Sequence, residues 1–170
     1  LAENTGITKF YLCETAISGN TSYILTQNQL YSSSREINIS DTSQTFSLTA
    51  FNLPQNIEGT AYLNLGRKTS VGTGAVKATL INSVTGNIVS ATSPDTVGTA
   101  ENIWLIPMTV PLTHFKSGEQ LQLKIEDQNT GTLFIGVDPQ NRDGTNITPS
   151  TVPAAMLTKS SIDIPFRLKT

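Results

Sequence analysis

The chain has 170 residues, enough for one domain with a real core and too few for two comfortable ones. Only 14% of them are charged, against about 25% in an average globular domain, and Thr, Ser, Asn and Gln take their place. A formal charge of −2 beside 37% apolar residues argues against a disordered chain and leaves no electrostatic footprint for nucleic acid or anionic lipid, so neither is expected as a partner.

Taken in order, residues 6–13 (GITKFYLC) form a first predicted strand and 22–31 (SYILTQNQLY) a second, less regular one. Ile37 and Ile39 lie in a short alternating piece before an Asp41-Thr-Ser turn. Phe46, Leu48 and Ala50 alternate with Ser47 and Thr49, which makes 44–51 a strand. Pro54 and Gly59 bracket a loop ahead of Ala61, Leu63 and Leu65. The turn at Gly72-Thr-Gly74 leads into a strand with Val76, Ala78 and Leu80 on one face, and Thr85-Gly86-Asn87 is a hairpin turn into NIVSAT.

A polar loop over 92–101 precedes IWLIPMTVPL (103–112), which is apolar on both faces and interrupted by Pro107 and Pro111. Proline lacks a ladder donor, so this segment is predicted to lie at a sheet edge or to carry a bulge. Over 115–138, Leu121, Leu123 and Ile125 alternate with Gln120, Gln122, Lys124 and Glu126. Turn residues follow at 127–131, and Leu133, Ile135 and Val137 then resume the alternation. This pattern reads as a hairpin. A loop over 138–159, with a helical turn or two around Val152–Leu157, leads to a last strand carrying Ile162, Ile164, Phe166 and Leu168.

About ten short strands divided by turn signals indicate an all-β, antiparallel two-sheet β-sandwich or jelly roll, forming a single domain over 1–170. Cys13 is the one cysteine, so there is no intrachain disulfide. It reads as a small buried residue in a strand, an intermolecular bridge or a reactive thiol being the other readings. The chain starts at Leu1 without an apolar leader segment, and no run is long enough to span a bilayer. With the Thr/Asn/Ser-rich composition, this points to an extracellular or cell-surface protein.

The order GTAYLNLG (59–66), VKATLINSVTGNIVSAT (76–92), Trp104, F-x-x-GEQLQLKI (115–125), TLFIGVD (132–138) and IDIPF (162–166) resembles the galactose-binding-like jelly-roll modules. Such modules occur at the ends of secreted enzymes and in cell-surface proteins. The resemblance covers roughly residues 58–168 and implies a jelly roll whose ligand, where there is one, is a sugar held at loop ends, often near a structural calcium ion.

No catalytic constellation is evident. The only histidine, His114, has no HxH or HxxxH partner and no Gly-x-Ser-x-Gly elbow accompanies it, so a surface or turn position is expected and no enzyme activity. No cofactor is expected apart from calcium, for which the Asx-rich loop at Asp138, Asn141 and Asp143 offers oxygen ligands on a Gly144-bent backbone. An ordinary turn is the plainer reading of that loop. Sequons occur at Asn20, Asn38 and Asn146. Tyr23, Tyr31 and Trp104 are the rings best suited to stack on a sugar, although Ile103 and Leu105 beside Trp104 favour a core position.

The segment LAENTGITKFYLC (1–13) is either the first strand of its own sandwich or an arm that adds a strand to a neighbour, with Ile7, Phe10 and Leu12 filling the neighbour's groove. On this basis the leading expectation is a non-enzymatic structural protein, a homopolymeric surface filament subunit held by donated strands. The alternatives are a carbohydrate-binding module and a viral capsid or tail component.

Overall fold

The period-two alternation becomes strand throughout. The computed structural model of the chain describes residues 5–17, 19–28, 36–69, 73–93, 96–97, 102–128, 132–137 and 159–167, and among these there is no helix. The strands are β1 (Thr5–Ile17), β2 (Asn20–Thr26), β3 (Glu36–Asn38), β4 (Ser43–Ser47), β5 (Gln55–Thr69), β6 (Thr73–Gly74), β7 (Val76–Asn82), β8 (Gly86–Thr92), β9 (Thr96–Val97), β10 (Asn102–Phe115), β11 (Leu121–Asp127), β12 (Leu133–Gly136) and β13 (Ser161–Arg167). The predicted helical turns near Val152 lie outside the described residues.

Hydrogen-bonded neighbours run β3-β12-β5-β13-β1-β2-β4-β11-β7-β8, with β10 on the other flank of β5 and a separate short β6–β9 ladder. Every pairing is antiparallel except one parallel bridge between Ile24 and Ser47, where β2 meets β4. The ladder changes layer at that weak joint. On one side β10, β5, β13, β1 and β2 form the first layer, and on the other β4, β11, β7 and β8 form the second. Their inward residues close one core, with Leu63, Leu65, Ile106, Met108, Leu12 and Ile162 from the first layer against Phe46, Leu80, Leu123 and Ile125 from the second. The fold is therefore an all-β sandwich, as the alternation predicts.

β5 organises the first layer. β10 pairs along its length, β13 follows it from Ile57 to Asn64, and β12 takes over at Arg67–Thr69. Near its start Gly59 adopts φ 128°, and a Cβ there would meet Pro165 Cβ at 3.3 Å. That is why glycine occupies the point where both flanking strands shift register.

Two expectations are corrected. Residues 115–138 are two strands but not a hairpin: β11 pairs with β4 and β7, whereas β12 pairs with β3 and β5. Alternation chooses which face of a strand is buried, and it is silent on the partner. The N-terminal strand is not a donated arm. β1 lies between β13 and β2 of its own sheet, with Phe10 and Cys13 buried and Leu12 0% exposed in the core, while Ile7 points outward at 66% exposure. Other expectations hold. Thr85-Gly86-Asn87 does join a hairpin, β7–β8, and among the described residues β10 has β5 as its ladder partner and shifts register between Val110 and Thr113.

One end of the sandwich is sewn together by a buried carboxylate. Glu119 Oε2 accepts hydrogen bonds from Asn82 Nδ2 at 2.9 Å and from the Lys116 backbone N–H at 2.8 Å. Asn82 Oδ1 in turn accepts from the N–H groups of Val84 and Thr85. Backbone bonds from Gly118 N–H to Phe51 C=O and from Phe51 N–H to Glu119 C=O tie in a third loop. These donors favour the charged form, so Asn82 first and the Lys116 backbone second hold the Glu119 carboxyl below its ordinary range.

Two outcomes follow. Leu12→Ala should destabilise the monomer by about 2–5 kcal/mol in urea unfolding, and Ile7→Ala should stay within about 0.5 kcal/mol; in an undocked arm Leu12→Ala would be as neutral as Ile7→Ala. For Glu119 the depressed pKa means that its contribution is fully present above the unfolded value near 4.5 and is lost as pH falls through the folded pKa. The stability gap between wild type and Glu119→Gln should therefore be constant at neutral pH and shrink below about pH 4.5 in pH-dependent urea melts.

Candidate functional site

The end opposite Glu119 carries a buried cation. Arg67 is the last described inward residue of β5 and is 1% exposed. Its guanidinium carbon lies 4.3 Å from the ring centroid of Trp104 on β10, diagonal to it because Trp104 stands opposite Leu65. Desolvation lowers the Arg67 pKa, and the ring face offsets part of that cost, about 2 kcal/mol for a desolvated pair. Trp104 is itself 3% exposed, so its ring serves the core and not a surface sugar platform.

The remaining predicted site residues are dispersed. Tyr23 is half-buried and edge-on to Phe46, ring centroids 5.9 Å apart; burial, with Glu14 adding to it, raises its pKa. Tyr31, the calcium candidates Asp138, Asn141 and Asp143, and the sequon Asn146 lie outside the described residues. Asn20 is exposed at the start of β2 beside Gly19, which takes φ 81°. Asn38 is exposed at the end of β3, and its Oδ1 accepts from the Ser40 N–H at 2.9 Å. Among the described residues no three His, Cys, Asp or Glu side chains gather as metal ligands would. His114 is exposed and stands opposite Asn56 across the β10–β5 ladder, its Nδ1–H donating to Asn56 Oδ1 at 2.6 Å.

The two layers differ sharply on their outer faces. On the second layer the outward positions are Gln122, Lys124 and Glu126 on β11, flanked by Ser47 and Thr45 on β4 and by Ile81, Thr79 and Lys77 on β7, with Lys124 and Glu126 paired at 3.2 Å. On the first layer the outward positions of β10 run Ile103, 50% exposed, Leu105, 57% exposed, Pro107 and Thr109; on β5 Tyr62, 40% exposed, stands opposite Pro107, with Asn64 opposite Leu105 and Thr60 opposite Thr109. Segments 60–66 and 103–112 contain no Asp, Glu, Lys or Arg. Beyond Tyr62 the face turns polar, with Asp163 opposite it on β13 and Lys9 opposite Asp163 on β1. Reading residues one at a time misses this face. Its signal is IWLIPMTVPL, which is apolar at both parities in a two-layer fold where only one parity needs to be.

No protein-family model matches the chain and no curated protein matches its sequence. Its fold matches parts of solved hydrolases. A CocE/NonD family hydrolase from Staphylococcus aureus aligns with TM-score 0.68 and 13% identity over 97% of this chain and 37% of the hydrolase. An α-amino acid ester hydrolase aligns with TM-score 0.62 and 11% identity over 94% of this chain and 36% of that one. An aminopeptidase from a marine-sediment Thaumarchaeota archaeon aligns with TM-score 0.64 and 9% identity over 95% and 37%. The chain thus spans little more than a third of the length of each. At these identities the likeness is one of fold. It nonetheless corrects the expectation of a filament subunit: the sandwich matches a β-rich portion of hydrolase chains, and β1, the proposed donor strand, is an internal strand of its own sheet.

Proposed function

We propose that residues 1–170 are a β-sandwich domain that accompanies a hydrolase catalytic domain in one polypeptide, and that the catalytic groups lie in that other domain. The observation that carries this reading is the asymmetry of the fold match, nearly all of this chain against just over a third of each hydrolase. The chemistry of the chain supports it. A Ser-His-Asp or Cys-His arrangement needs a histidine held by a carboxylate or carboxamide and facing a nucleophile. The single histidine of the chain, His114, has Asn56 as its partner but stands exposed to water on β10, whereas such sites act where water is excluded.

The GEQLQLKI segment that runs into β11 further favours a galactose-binding-like jelly roll as the finer description of the domain. In this reading its contribution is architectural. A rigid sandwich closed at one end by Glu119 and at the other by the Arg67–Trp104 stack presents surfaces to a catalytic neighbour.

The test is turnover of p-nitrophenyl acetate and of an aminoacyl p-nitroanilide by the purified chain and by the product of the complete reading frame that encodes it. The chain alone should give rates equal to buffer, unchanged by His114→Ala, while the complete product hydrolyses at least one substrate. Turnover by the chain alone that disappears in His114→Ala contradicts the proposal.

A further inference from the structure

We propose that the outward face of β10 and β5, centred on Tyr62, Ile103, Leu105 and Pro107, is the surface on which the hydrolase catalytic domain docks. This inference rests on the preceding reading and names the face that such a domain would cover.

Four observations lead there. First, Ile103, Leu105, Pro107 and Tyr62 form an uncharged, largely apolar patch, with Asn64 opposite Leu105, whereas the corresponding face of the other layer is polar at β11 and β4 and mixed at β7, where Ile81 lies in line with Thr79 and Lys77. Contiguous exposed apolar patches with a polar border mark interaction surfaces, and Lys9 and Asp163 supply one such border. Second, among the described residues β10 is a flank strand whose ladder partner is β5. Pro107 and Pro111 remove two backbone donors from it, which disfavours the addition of another strand. The occupant must therefore pack side chains onto the face and not extend the ladder at its edge. Third, Tyr62 is the kind of rigid amphipathic ring that dominates such contacts, and it sits at the border between apolar and polar positions. Fourth, each matched hydrolase holds almost two-thirds of its chain beyond the matched part, so a sandwich of this fold shares its polypeptide with a body larger than itself. A neutral apolar partner surface is what this face complements.

Hydroxyl-radical footprinting read by mass spectrometry tests the proposal, applied to the complete reading-frame product and to residues 1–170 alone. Labelling of Tyr62, Ile103 and Leu105 should fall by about fivefold or more in the complete product, because interface centres exclude water. Leu53 and Val84, exposed elsewhere on the chain, should label equally in both. The double variant Ile103→Ser, Leu105→Ser should leave the melting temperature of the isolated chain unchanged and restore labelling of Tyr62 in the complete product. Equal labelling of Tyr62 and Leu105 in both samples, with a hydrolase segment present in the frame, overturns the docking face and leaves the function proposed above standing. A frame without such a segment overturns both. Protection of the same residues in the isolated chain, with a dimer in light scattering, assigns the face to a second copy instead.

Discussion

The first layer depends on one strand. β5 carries Ile57, Ala61, Leu63, Leu65 and Arg67 inward in a single run, and its two flanks hold β10 on one side and β13 then β12 on the other. The apolar ones, Ile57, Ala61, Leu63 and Leu65, belong to the common core with residues of the second layer. A one-residue slip would turn all of them out to solvent. Glycine at 59, with its left-handed φ and close approach to Pro165, lets both neighbours shift register without breaking that run. Inward positions on β1 and β10 can then be filled by Leu12, Ile106 and Met108, because their distance from the second layer is already set.

With the core settled, what differs across the molecule is its surface. The second layer is wet on its outer side, as an antiparallel sheet with one solvated face should be. The first layer departs from that rule toward β10, and at Ile7 on β1. The departure does not come from a shortage of polar residues, since Thr, Ser, Asn and Gln are abundant elsewhere in the chain. Ile103, Leu105 and Tyr62 therefore stand out against a background that could have supplied polar side chains at the same positions. The fold matches parts of larger hydrolase chains, and Pro107 and Pro111 leave β10 without two backbone donors.

Much of the fold was legible beforehand. Alternation located the cores of β4, β5, β7, β11 and β13, Thr85-Gly86-Asn87 marked a true hairpin, and the prolines correctly placed β10 at a flank with a bulge. Partner choice was not legible. Leu121–Ile125 and Leu133–Val137 look like the two arms of one hairpin, yet they diverge to opposite layers, because burying alternate residues is equally well satisfied by either neighbour. The same blindness made LAENTGITKFYLC look like an arm: Phe10 and Leu12 fill a groove in both readings, and only the register with Ile162 and Leu25 shows that the groove is the chain's own. Side-chain chemistry at the ends was harder still. The three-loop hydrogen-bond network of Glu119 joins segments far apart in sequence, and the stack of Arg67 on Trp104 depends on a diagonal across two strands.

The most direct measurement is amide hydrogen exchange of the isolated 170-residue chain. If β1 is an internal strand that completes its own sandwich, amides from Ile7 to Cys13 should exchange as slowly as those from Ile57 to Leu65, through global unfolding. Rapid exchange over Ile7–Cys13 beside a protected β5 would contradict the account, because the first layer would then be open where β1 is placed.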